Sequence, residues 1–329
     1  MSRYAVIGSN SFSGSHLVDL LLEDSPNQVT GISRSPEKNP VFLPYKRHAT
    51  GRFFFHALNI NRDMPAIARV LDDFKPEFVI NFAAQGEVQT SWQYPDQWFE
   101  TNAVGISKLC HFLKDRPYLK RYIHISTPEV YGNCPVPVKE NAPLNPSTPY
   151  AVSKAAGDLY LFTLVKQYRF PLVMIRSTNV YGPHQQLYRI IPRSIVYLKT
   201  GRKIPLEGGG RAFKAYIHIK DVCRGILSAA HSGREGEIYH FSPDEDISIA
   251  GLVARICQKM GCDFTAGTQA AADRPGQDAC YRIDSSKARK ELSWRPTVGL
   301  DQGLEEVIGW IDGRWNEISG ENQEYVHIP

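Results

Sequence analysis

Apolar and polar residues alternate along the first half of the chain in two kinds of block. Short, continuous apolar runs that end at a glycine or a polar residue are typical of buried parallel strands. Longer stretches with apolar residues three or four positions apart are typical of amphipathic helices. The short runs predict strands over Tyr4–Ile7, Val29–Ile32, Phe53–Phe55, Phe78–Phe82, Tyr122–Ser126 and Leu172–Ile175. The helical spacing predicts a helix around Leu17–Leu22 and further helices over Met64–Phe74, Gln97–Leu113 and Pro149–Tyr168.

Strands that alternate with helices in this way predict an α/β fold with a doubly wound parallel sheet of the Rossmann type. After Thr178 the pattern is less regular, and it predicts short strands and helices over Glu237–Phe241, Tyr281–Ile283, Asp221–Ala230, Ile249–Met260 and Leu300–Trp315. We therefore predict a dinucleotide-binding Rossmann domain over residues 1–178. A smaller, mixed α/β substrate domain over residues 179–329, interleaved with the first, would close over the carboxyl edge of the sheet, where ligands bind in open α/β folds.

Composition narrows the class of protein. The chain has 329 residues, 42% of them hydrophobic, which is enough for a substantial core. The net charge of +4 is scattered, which argues against a nucleic-acid tail or a polybasic membrane anchor. The six cysteines have no paired or zinc-ligand spacing and predict reduced thiols, no metal site and a cytoplasmic location. No apolar stretch is long enough for a signal peptide or a membrane span.

A glycine-containing turn follows the first predicted strand and leads into the first helix. Gly8 and Gly14 bracket this turn, and Ser11 lies between them. Glycine lets the backbone approach a pyrophosphate closely, and the start of the helix offers free N–H groups. We predict that Gly8, Ser11, Phe12 and Gly14 bind cofactor phosphates, although a purely structural turn has the same pattern.

The end of the second strand bears on the choice of cofactor. An acidic residue there would accept hydrogen bonds from the ribose 2′-hydroxyl of NAD, but this chain has Ser33 followed by Arg34. Arginine suits a 2′-phosphate, so NADP is slightly favoured over NAD; the alternative is a solvated loop arginine. Residues after the third and fourth strands are predicted to line the adenine and nicotinamide sides: Asn59, Ile60, Ala83 and Ala84.

Tyr150 and Lys154 are the candidate catalytic pair. Four residues apart on a predicted helix, they share one face. The ammonium of Lys154 and a positive nicotinamide ring would both favour the tyrosinate, so we expect a lowered pKa at Tyr150 and a base that works near neutral pH. The same spacing occurs by chance in many helices, but here the pair follows the glycine turn and the strand-end Ser126 and Thr127, and this joint pattern favours an oxidoreductase.

Several segments together resemble one family over nearly the whole chain. They are Asn81-Phe82-Ala83-Ala84-Gln85, Thr101-Asn102, Ser126-Thr127-Pro128-Glu129-Val130-Tyr131-Gly132, Pro149-Tyr150-Ala151-Val152-Ser153-Lys154, Asn179-Val180-Tyr181-Gly182-Pro183 and Asp273-Arg274-Pro275-Gly276. The chain resembles the nucleotide-sugar epimerase and dehydratase branch of the extended short-chain dehydrogenases/reductases. The resemblance implies that a nicotinamide takes hydride from C4 of a sugar and returns it after a 4-keto intermediate has reacted. It also implies that Thr127 shares the C4 hydroxyl proton with Tyr150 and that Ser126 lines the cofactor site.

The two residues after Thr127 separate the possible reactions. Glucose-type 4,6-dehydratases carry Asp-Glu there, whereas this chain has Pro128 and Glu129. GDP-mannose 4,6-dehydratases resemble the present arrangement, with one glutamate handling both proton transfers. We therefore expect a nucleotide-sugar 4,6-dehydratase that uses Tyr150, Lys154, Thr127 and Glu129. The alternative is a 4-epimerase in which Glu129 is a bystander, and a nucleotide-uronate decarboxylase or a non-catalytic dinucleotide-binding protein is less favoured.

The resemblance also implies a substrate site and a dimer. Gln85, Asn179, Lys214 and Arg274 would bind the nucleoside-diphosphate sugar, with Arg193 as a further candidate, although each cation alone could be ordinary surface charge. Lys214 stands where the family usually has arginine, which would replace a bidentate phosphate contact by a point charge. We expect a homodimer joined through the helices Gln97–Leu113 and Pro149–Tyr168, where Leu159, Leu161 and Phe162 could be interface or core.

Overall fold

The computed structural model describes residues 1–23, 26–48, 51–272 and 280–329. In this part of the chain the strands are β1 (Arg3–Ile7), β2 (Gln28–Ser33), β3 (Phe53–Ala57), β4 (Phe78–Asn81), β5 (Arg121–Ile125), β6 (Cys134–Val138), β7 (Leu172–Ser177), β8 (Asn179–Tyr181), β9 (Ile204–Glu207), β10 (Phe213–Lys214), β11 (Tyr216–His218), β12 (Glu237–Phe241), β13 (Ile247–Ser248), β14 (Thr268–Ala271) and β15 (Tyr281–Ile283).

The α-helices of the same residues are α1 (Phe12–Leu22), α2 (Met64–Phe74), α3 (Val88–Ser91), α4 (Pro95–Phe99), α5 (Ile106–Leu113), α6 (Pro149–Tyr168), α7 (Ile190–Lys199), α8 (Ile219–Ser232), α9 (Ile249–Lys259), α10 (Phe264–Gly267), α11 (Ser286–Glu291), α12 (Leu300–Gly313) and α13 (Trp315–Ile318). Short 3-10 turns cover Pro40–Phe42, Pro44–Arg47, Pro128–Tyr131 and Gly208–Gly210. None of the helices within the described ranges is both long and apolar enough to cross a bilayer.

A seven-stranded sheet in the order β12-β7-β5-β4-β1-β2-β3 forms the centre of the fold. Every neighbouring pair is parallel. The predicted α/β fold with a doubly wound Rossmann sheet is therefore confirmed. The strand order reverses between β1 and β4, and ligands bind outside the carboxyl ends of the strands at such a point.

Two apolar cores cover the two faces of the sheet. One packs α1 and α8 on the sheet and includes Leu17, Val18 and Ile226. The other packs α2, α5 and α6 on the opposite face and includes Ile67 and Leu161. A third core lies in the smaller lobe, around α7, α9 and α12. The three cores hold the two lobes on either side of the carboxyl edge of the sheet.

The strand Glu237–Phe241 belongs to the central sheet and not to the smaller domain in which it was predicted. It was predicted within the smaller domain, but β12 pairs with β7 and forms the edge of the central sheet. Helix α8, which precedes it, packs on the same sheet. The predicted boundary at residue 178 thus separates β12 from the other six strands of the central sheet. The interleaving of the two halves takes this form.

The predicted helix Gln97–Leu113 contains a wider turn. Between α4 and α5 the chain forms a π-helix over Glu100–Gly105. Such turns occur often at functional sites. This one carries Asn102, whose side chain bonds to the backbone of Gln85: Oδ1 accepts from the N–H at 2.9 Å and Nδ2 donates to the carbonyl at 3.0 Å. The turn therefore fixes the loop that follows β4.

Candidate active site

A cleft of about 1090 Å³ lies between the carboxyl edge of the sheet and the smaller lobe. It brings together nearly all of the side chains that the sequence singled out. Those on its walls are Gly8, Ser11, Phe12, Ser33, Arg34, Asn59, Ile60, Ala83, Ala84, Gln85, Ser126, Thr127, Glu129, Tyr150, Lys154, Asn179, Arg193 and Lys214. Gly14 lies behind the turn, and Arg274 lies outside the described residues.

The phosphate turn is built so that only glycine fits at two positions. Gly8 has φ +87°, and a Cβ there would lie 2.8 Å from the amide nitrogen of Ala83. A Cβ at Gly14 would lie 2.2 Å from the carbonyl oxygen of Gly8. Ser11 instead has φ −73° and caps α1, because its hydroxyl accepts from the N–H of Gly14 at 3.0 Å. A third glycine is thus not needed at Ser11, and this close cradle at a helix N-terminus fits a dinucleotide pyrophosphate.

Asn10 and Ser33 hold the end of β2 against this turn. The hydroxyl of Ser33 accepts from the N–H of Asn10 at 2.9 Å. The Asn10 amide donates to the carbonyls of Ser35 and Pro36 at 3.0 and 2.7 Å. Asn10 was not predicted, because an asparagine inside a glycine turn carries no distinctive signal. Its contacts fix the loop that presents Arg34 to the cleft.

The walls predicted to contact adenine and nicotinamide are fixed by local hydrogen bonds. The Asn59 side chain accepts from the N–H of Asn61 at 2.9 Å, and the Asn61 amide donates to Thr101 at 3.0 Å. On the other side of β1, the N–H of Ala83 donates to Asn81 at 3.1 Å. The backbone on both walls is therefore held in place by the protein.

Tyr150, Thr127 and Glu129 meet in the middle of the cleft. Tyr150 lies at the start of α6, and the side chain of Thr127 interacts with its phenol in the direction that lowers the pKa of Tyr150. Thr127 caps the 3-10 turn Pro128–Tyr131 by accepting from the N–H of Glu129 at 3.3 Å, a turn that tolerates proline at its first position. Burial and then the charge of Glu129 raise the pKa of Tyr150.

The direction of this shift corrects an expectation from the sequence. Lys154 was predicted to lower the pKa of Tyr150, but its Nζ donates to the carbonyl of Ile125 at 2.8 Å. The protein's own groups raise the pKa of the phenol on balance. The positive charge of an oxidised nicotinamide beside the phenol would act in the opposite direction and lower this pKa.

A buried acid lies one turn beyond Lys154 on α6. Asp158 Oδ2 accepts from the hydroxyl of Ser126 at 2.6 Å and from Arg176 Nη2 at 2.8 Å. Burial lowers the pKa of Lys154 to about 8, and the charge of Asp158 opposes that shift. The Ser126 hydroxyl thus donates its hydrogen to a buried carboxylate. Asp158 is a part of the site that the sequence analysis missed. Its position four residues after Lys154 was the available signal.

The opposite wall carries the predicted substrate residues. The Asn179 side chain accepts from the Tyr281 hydroxyl at 2.9 Å and donates to the carbonyl of Ala215 at 3.2 Å. Lys214 Nζ lies 4.0 Å from the centroid of the Tyr281 ring. Burial, and next the charge of Glu129, raises the pKa of Tyr281, and this side chain lines the same cleft as Tyr150. Tyr281 was predicted as a strand residue only.

Two arginines stand beside this wall. Arg193 lies in the first turn of α7, and its buried Nε has no hydrogen-bond partner among the described residues. Arg189 is the residue just before the helix, 3.8 Å from Glu87, and it also lines the cleft. Arg189 was not predicted, because its place on the cleft depends on where α7 begins, and the sequence does not mark that boundary sharply. Together they provide cation donors for a diphosphate.

Comparison with known proteins gives a consistent result. The GDP-mannose 4,6-dehydratase family model matches residues 6–307. A dTDP-glucose 4,6-dehydratase of Streptomyces niveus is 34% identical over 233 residues, which are 70% of this chain and 69% of that protein. DesIV, a dTDP-glucose 4,6-dehydratase from Streptomyces venezuelae crystallised with NAD and TYD, has a TM-score of 0.89 at 30% identity, covering 96% of this chain and 98% of its own.

An epimerase is similar to nearly the same degree. The structure of UDP-glucuronic acid 4-epimerase from Bacillus cereus, in complex with UDP-glucuronic acid and NAD, has a TM-score of 0.86 at 28% identity. The match covers 94% of this chain and 99% of that one. The resemblance predicted from the motifs is therefore confirmed.

Proposed function

Because the chain belongs to the GDP-mannose 4,6-dehydratase family of nucleotide-sugar-processing enzymes, we propose that it is an NAD(P)-dependent nucleotide-sugar 4,6-dehydratase. The observation that carries this proposal is the placement of Glu129. Its side chain is partly buried and lines the same cleft as Tyr150 and Tyr281, and its charge raises the pKa of both phenols. A dehydratase needs such an acid–base residue in addition to the tyrosine that serves the oxidation.

Each side chain has a role that follows from its surroundings. Gly8 and Gly14 would hold the pyrophosphate of the oxidised cofactor, which would supply the acceptor for a hydride from C4 and would later return that hydride. Tyr150 removes the C4 hydroxyl proton, and Thr127, whose side chain interacts with the same phenol, shares that proton. Glu129 removes the C5 proton, which a neighbouring ketone acidifies, and then protonates the hydroxyl that leaves C6. Lys154 supplies positive charge one turn from Tyr150.

A 4-epimerase is the second candidate, and two observations favour it. Pro128 removes the separate acid that glucose-type dehydratases use, and its side chain is buried under the cleft. The solved 4-epimerase described above is similar to this chain over 94% of its length. In that case the 4-keto sugar would turn within the cleft, and Glu129 would take no proton.

The mass of the product separates these reactions. Purified protein is incubated with GDP-, UDP-, dTDP- and CDP-linked hexoses and hexuronates. We expect one of the hexoses to lose one water. An isomer of unchanged mass would show that the protein is an epimerase and not a dehydratase. Loss of carbon dioxide would indicate a decarboxylase. No conversion with bound cofactor would favour a non-catalytic binding protein.

Glu129→Gln tests the assigned residue directly. Glutamine keeps the size of the side chain but cannot accept a proton, and loss of a general base typically costs about a hundred- to ten-thousand-fold in rate. The variant should still produce reduced nicotinamide absorbance when substrate is added, yet release almost no dehydrated sugar. Glu317→Gln, at an exposed carboxylate outside the cleft, is the control and should retain dehydration. Normal turnover by Glu129→Gln would refute the role of Glu129.

The finer cofactor preference is also a proposal. The solved relatives contain NAD, and the turn of this chain fits either dinucleotide. The preference for NADP rests on Arg34 and on the absence of an acid at the end of β2, and we expect it to be modest. Dissociation constants for the two cofactors, compared between wild type and Arg34→Ala, test it. Tighter binding of NAD would contradict it.

We further propose a homodimer through α4–α5 and α6 in the cytoplasm. Leu161 is fully buried in the core, so it is not an interface residue. The exposed apolar side chains on these elements are Phe99, Val104, Val152, Leu159 and Tyr168. Leu159 is 58% exposed and is the clearest candidate for contact with a second copy. The six cysteines are all free, which is consistent with the proposed compartment.

A further inference from the structure

The segment 321–329, which we call the strap, crosses the mouth of the cleft. It is attached to both lobes. On the sheet side the Asn39 amide donates to Glu321 Oε1 at 2.6 Å. On the side of the smaller lobe Arg202 Nη1 donates to Gln323 Oε1 at 2.8 Å, and the Tyr325 ring packs edge-on at 5.3 Å from that of Tyr188.

His327 is the main anchor of the strap. Its ring stacks on Tyr94, with centroids 5.1 Å apart and planes 6° from parallel, and on Trp98 at 5.2 Å and 20°. Its Nε2 is 2.6 Å from Gln97 Oε1. Trp98 is fully buried under this contact. Two aromatic stacks and one hydrogen bond hold the end of the strap over the sheet.

This anchor places the carbonyl of Ile328 between two cofactor-side residues. Arg34 Nη1 donates to it at 2.7 Å, and Gln85 Nε2 donates to it at 2.8 Å. Arg34 also lies 3.3 Å from the carbonyl of Pro329. Arg34 follows β2 and Gln85 follows β4, and β1 lies between these strands in the sheet. The strap therefore passes above the phosphate turn at the end of β1.

The charges around Arg34 indicate what the strap displaces. Lys38 lies beside it on the cleft wall, and among the described residues Lys38 has no hydrogen-bond or ion-pair partner. The acceptors of Arg34 within those residues are the two strap carbonyls. Two neighbouring cations suit a dianionic phosphate. A 2′-phosphate at the end of β2 is such a group.

We propose that the strap determines the choice between NAD and NADP by competing with the 2′-phosphate for Arg34. The inference rests on the proposed dinucleotide site. The backbone carbonyl of Ile328 occupies a donor that a phosphate would need, and its partial negative charge would repel the phosphate oxygens. NAD carries a hydroxyl at that position and loses no charge-assisted contact. The seated strap therefore keeps the preference for NADP small, and its release increases it.

The test compares binding in four proteins: wild type, His327→Ala, Arg34→Ala and the double variant. His327→Ala removes both stacks and the bond to Gln97, and its effect on the strap is verified by increased acrylamide quenching of Trp98. Dissociation constants for NAD and NADP are measured by titration calorimetry. Val326→Ala, which shortens a 62% exposed side chain on the same strap, is the matched control.

We expect His327→Ala to lower the ratio of the NADP to the NAD dissociation constant about tenfold, the size of one charge-assisted hydrogen bond. In the Arg34→Ala background the same change should leave the ratio unaltered. An unchanged ratio in His327→Ala despite quenching of Trp98 would overturn the proposal. So would a shift that persists without Arg34. Failure of every variant to bind either dinucleotide would instead overturn the cofactor site itself.

Discussion

Replacing Asp158 by asparagine should destabilise the fold strongly. Asp158 and Arg176 form an ion pair at 2.8 Å, and each side chain is only 1% exposed. Asp158 also accepts the hydroxyl hydrogen of Ser126, at 2.6 Å. Removing one partner of a buried pair leaves the other charge uncompensated, which typically costs about 3–5 kcal/mol. The free energy of unfolding of Asp158→Asn should fall by about that amount.

The same substitution should move the pH profile of turnover toward acid. Burial lowers the pKa of Lys154 to about 8, and the Asp158 carboxylate opposes this shift. Burial and Glu129 raise the pKa of Tyr150, and Asp158 makes a smaller contribution in the same direction. An amide removes the negative charge that favours the protonated form of both groups. Lys154 should then lose its proton below pH 8, and Tyr150 should lose its own at lower pH than in wild type.

Asp72→Asn is the matched control. Asp72 pairs with Arg116 at 2.8 Å, the same separation, but the side chains are 44% and 29% exposed. An exposed pair contributes at most about 1 kcal/mol, and this one lies outside the cleft. Urea unfolding and the pH dependence of kcat/KM are measured for both variants. Equal losses of stability, or an alkaline shift in Asp158→Asn, would refute the reasoning.

Three further predictions address the other parts of the structure. Tyr150→Phe should reduce turnover by about a hundred- to ten-thousand-fold with unchanged cofactor affinity, and near-normal turnover would remove the tyrosine from the mechanism. Gly14→Ala puts a Cβ 2.2 Å from the Gly8 carbonyl oxygen and should lose about 1–3 kcal/mol in urea unfolding together with dinucleotide affinity. Gly309→Ala, in α12 with no atom within 4 Å of the new Cβ, should instead gain about 0.5–1 kcal/mol, and equal effects of the two changes would contradict this account. Leu159→Glu should yield a monomer by light scattering, and a retained dimer would place the interface elsewhere.

The pattern of apolar and polar residues was sufficient to predict those parts of the fold that depend on a few consecutive residues. Apolar runs predicted six strands of the central sheet, because a strand buried on both faces has no polar positions. The glycine turn and the Tyr150–Lys154 spacing were visible for a similar reason, since each is confined to a few consecutive residues. The strand Glu237–Phe241 was predicted as a strand, but its pairing with β7 depends on a partner more than sixty residues earlier.

The remaining features depend on long-range contacts. The strap has no helical or strand periodicity, and its main acceptor for Arg34 and Gln85 is a backbone carbonyl, which any residue type would provide. Burial of the Tyr150 side chain decides the direction in which its pKa shifts. The four-residue spacing between Tyr150 and Lys154 does not reveal that burial. Arg189 faces the cleft because α7 begins at Ile190, a boundary that the sequence does not mark sharply.

The cleft combines fixed walls with one segment, the strap, that crosses its mouth. Asn10 holds the loop after β2, and Asn102 holds the loop after β4. Asp158 holds the end of β5 through its hydrogen bond with Ser126. Each of these three side chains is at most 4% exposed. Groups fixed in this way need no reorganisation when charge develops at C4 of a sugar, which is how preorganised sites lower barriers. The strap is held by contacts with side chains, among them Arg34 and Gln85 on the cleft wall. It is therefore the element that can differ between ligands while the catalytic geometry stays the same, and changes to the strap should alter dissociation constants and leave the pH profile of turnover unchanged.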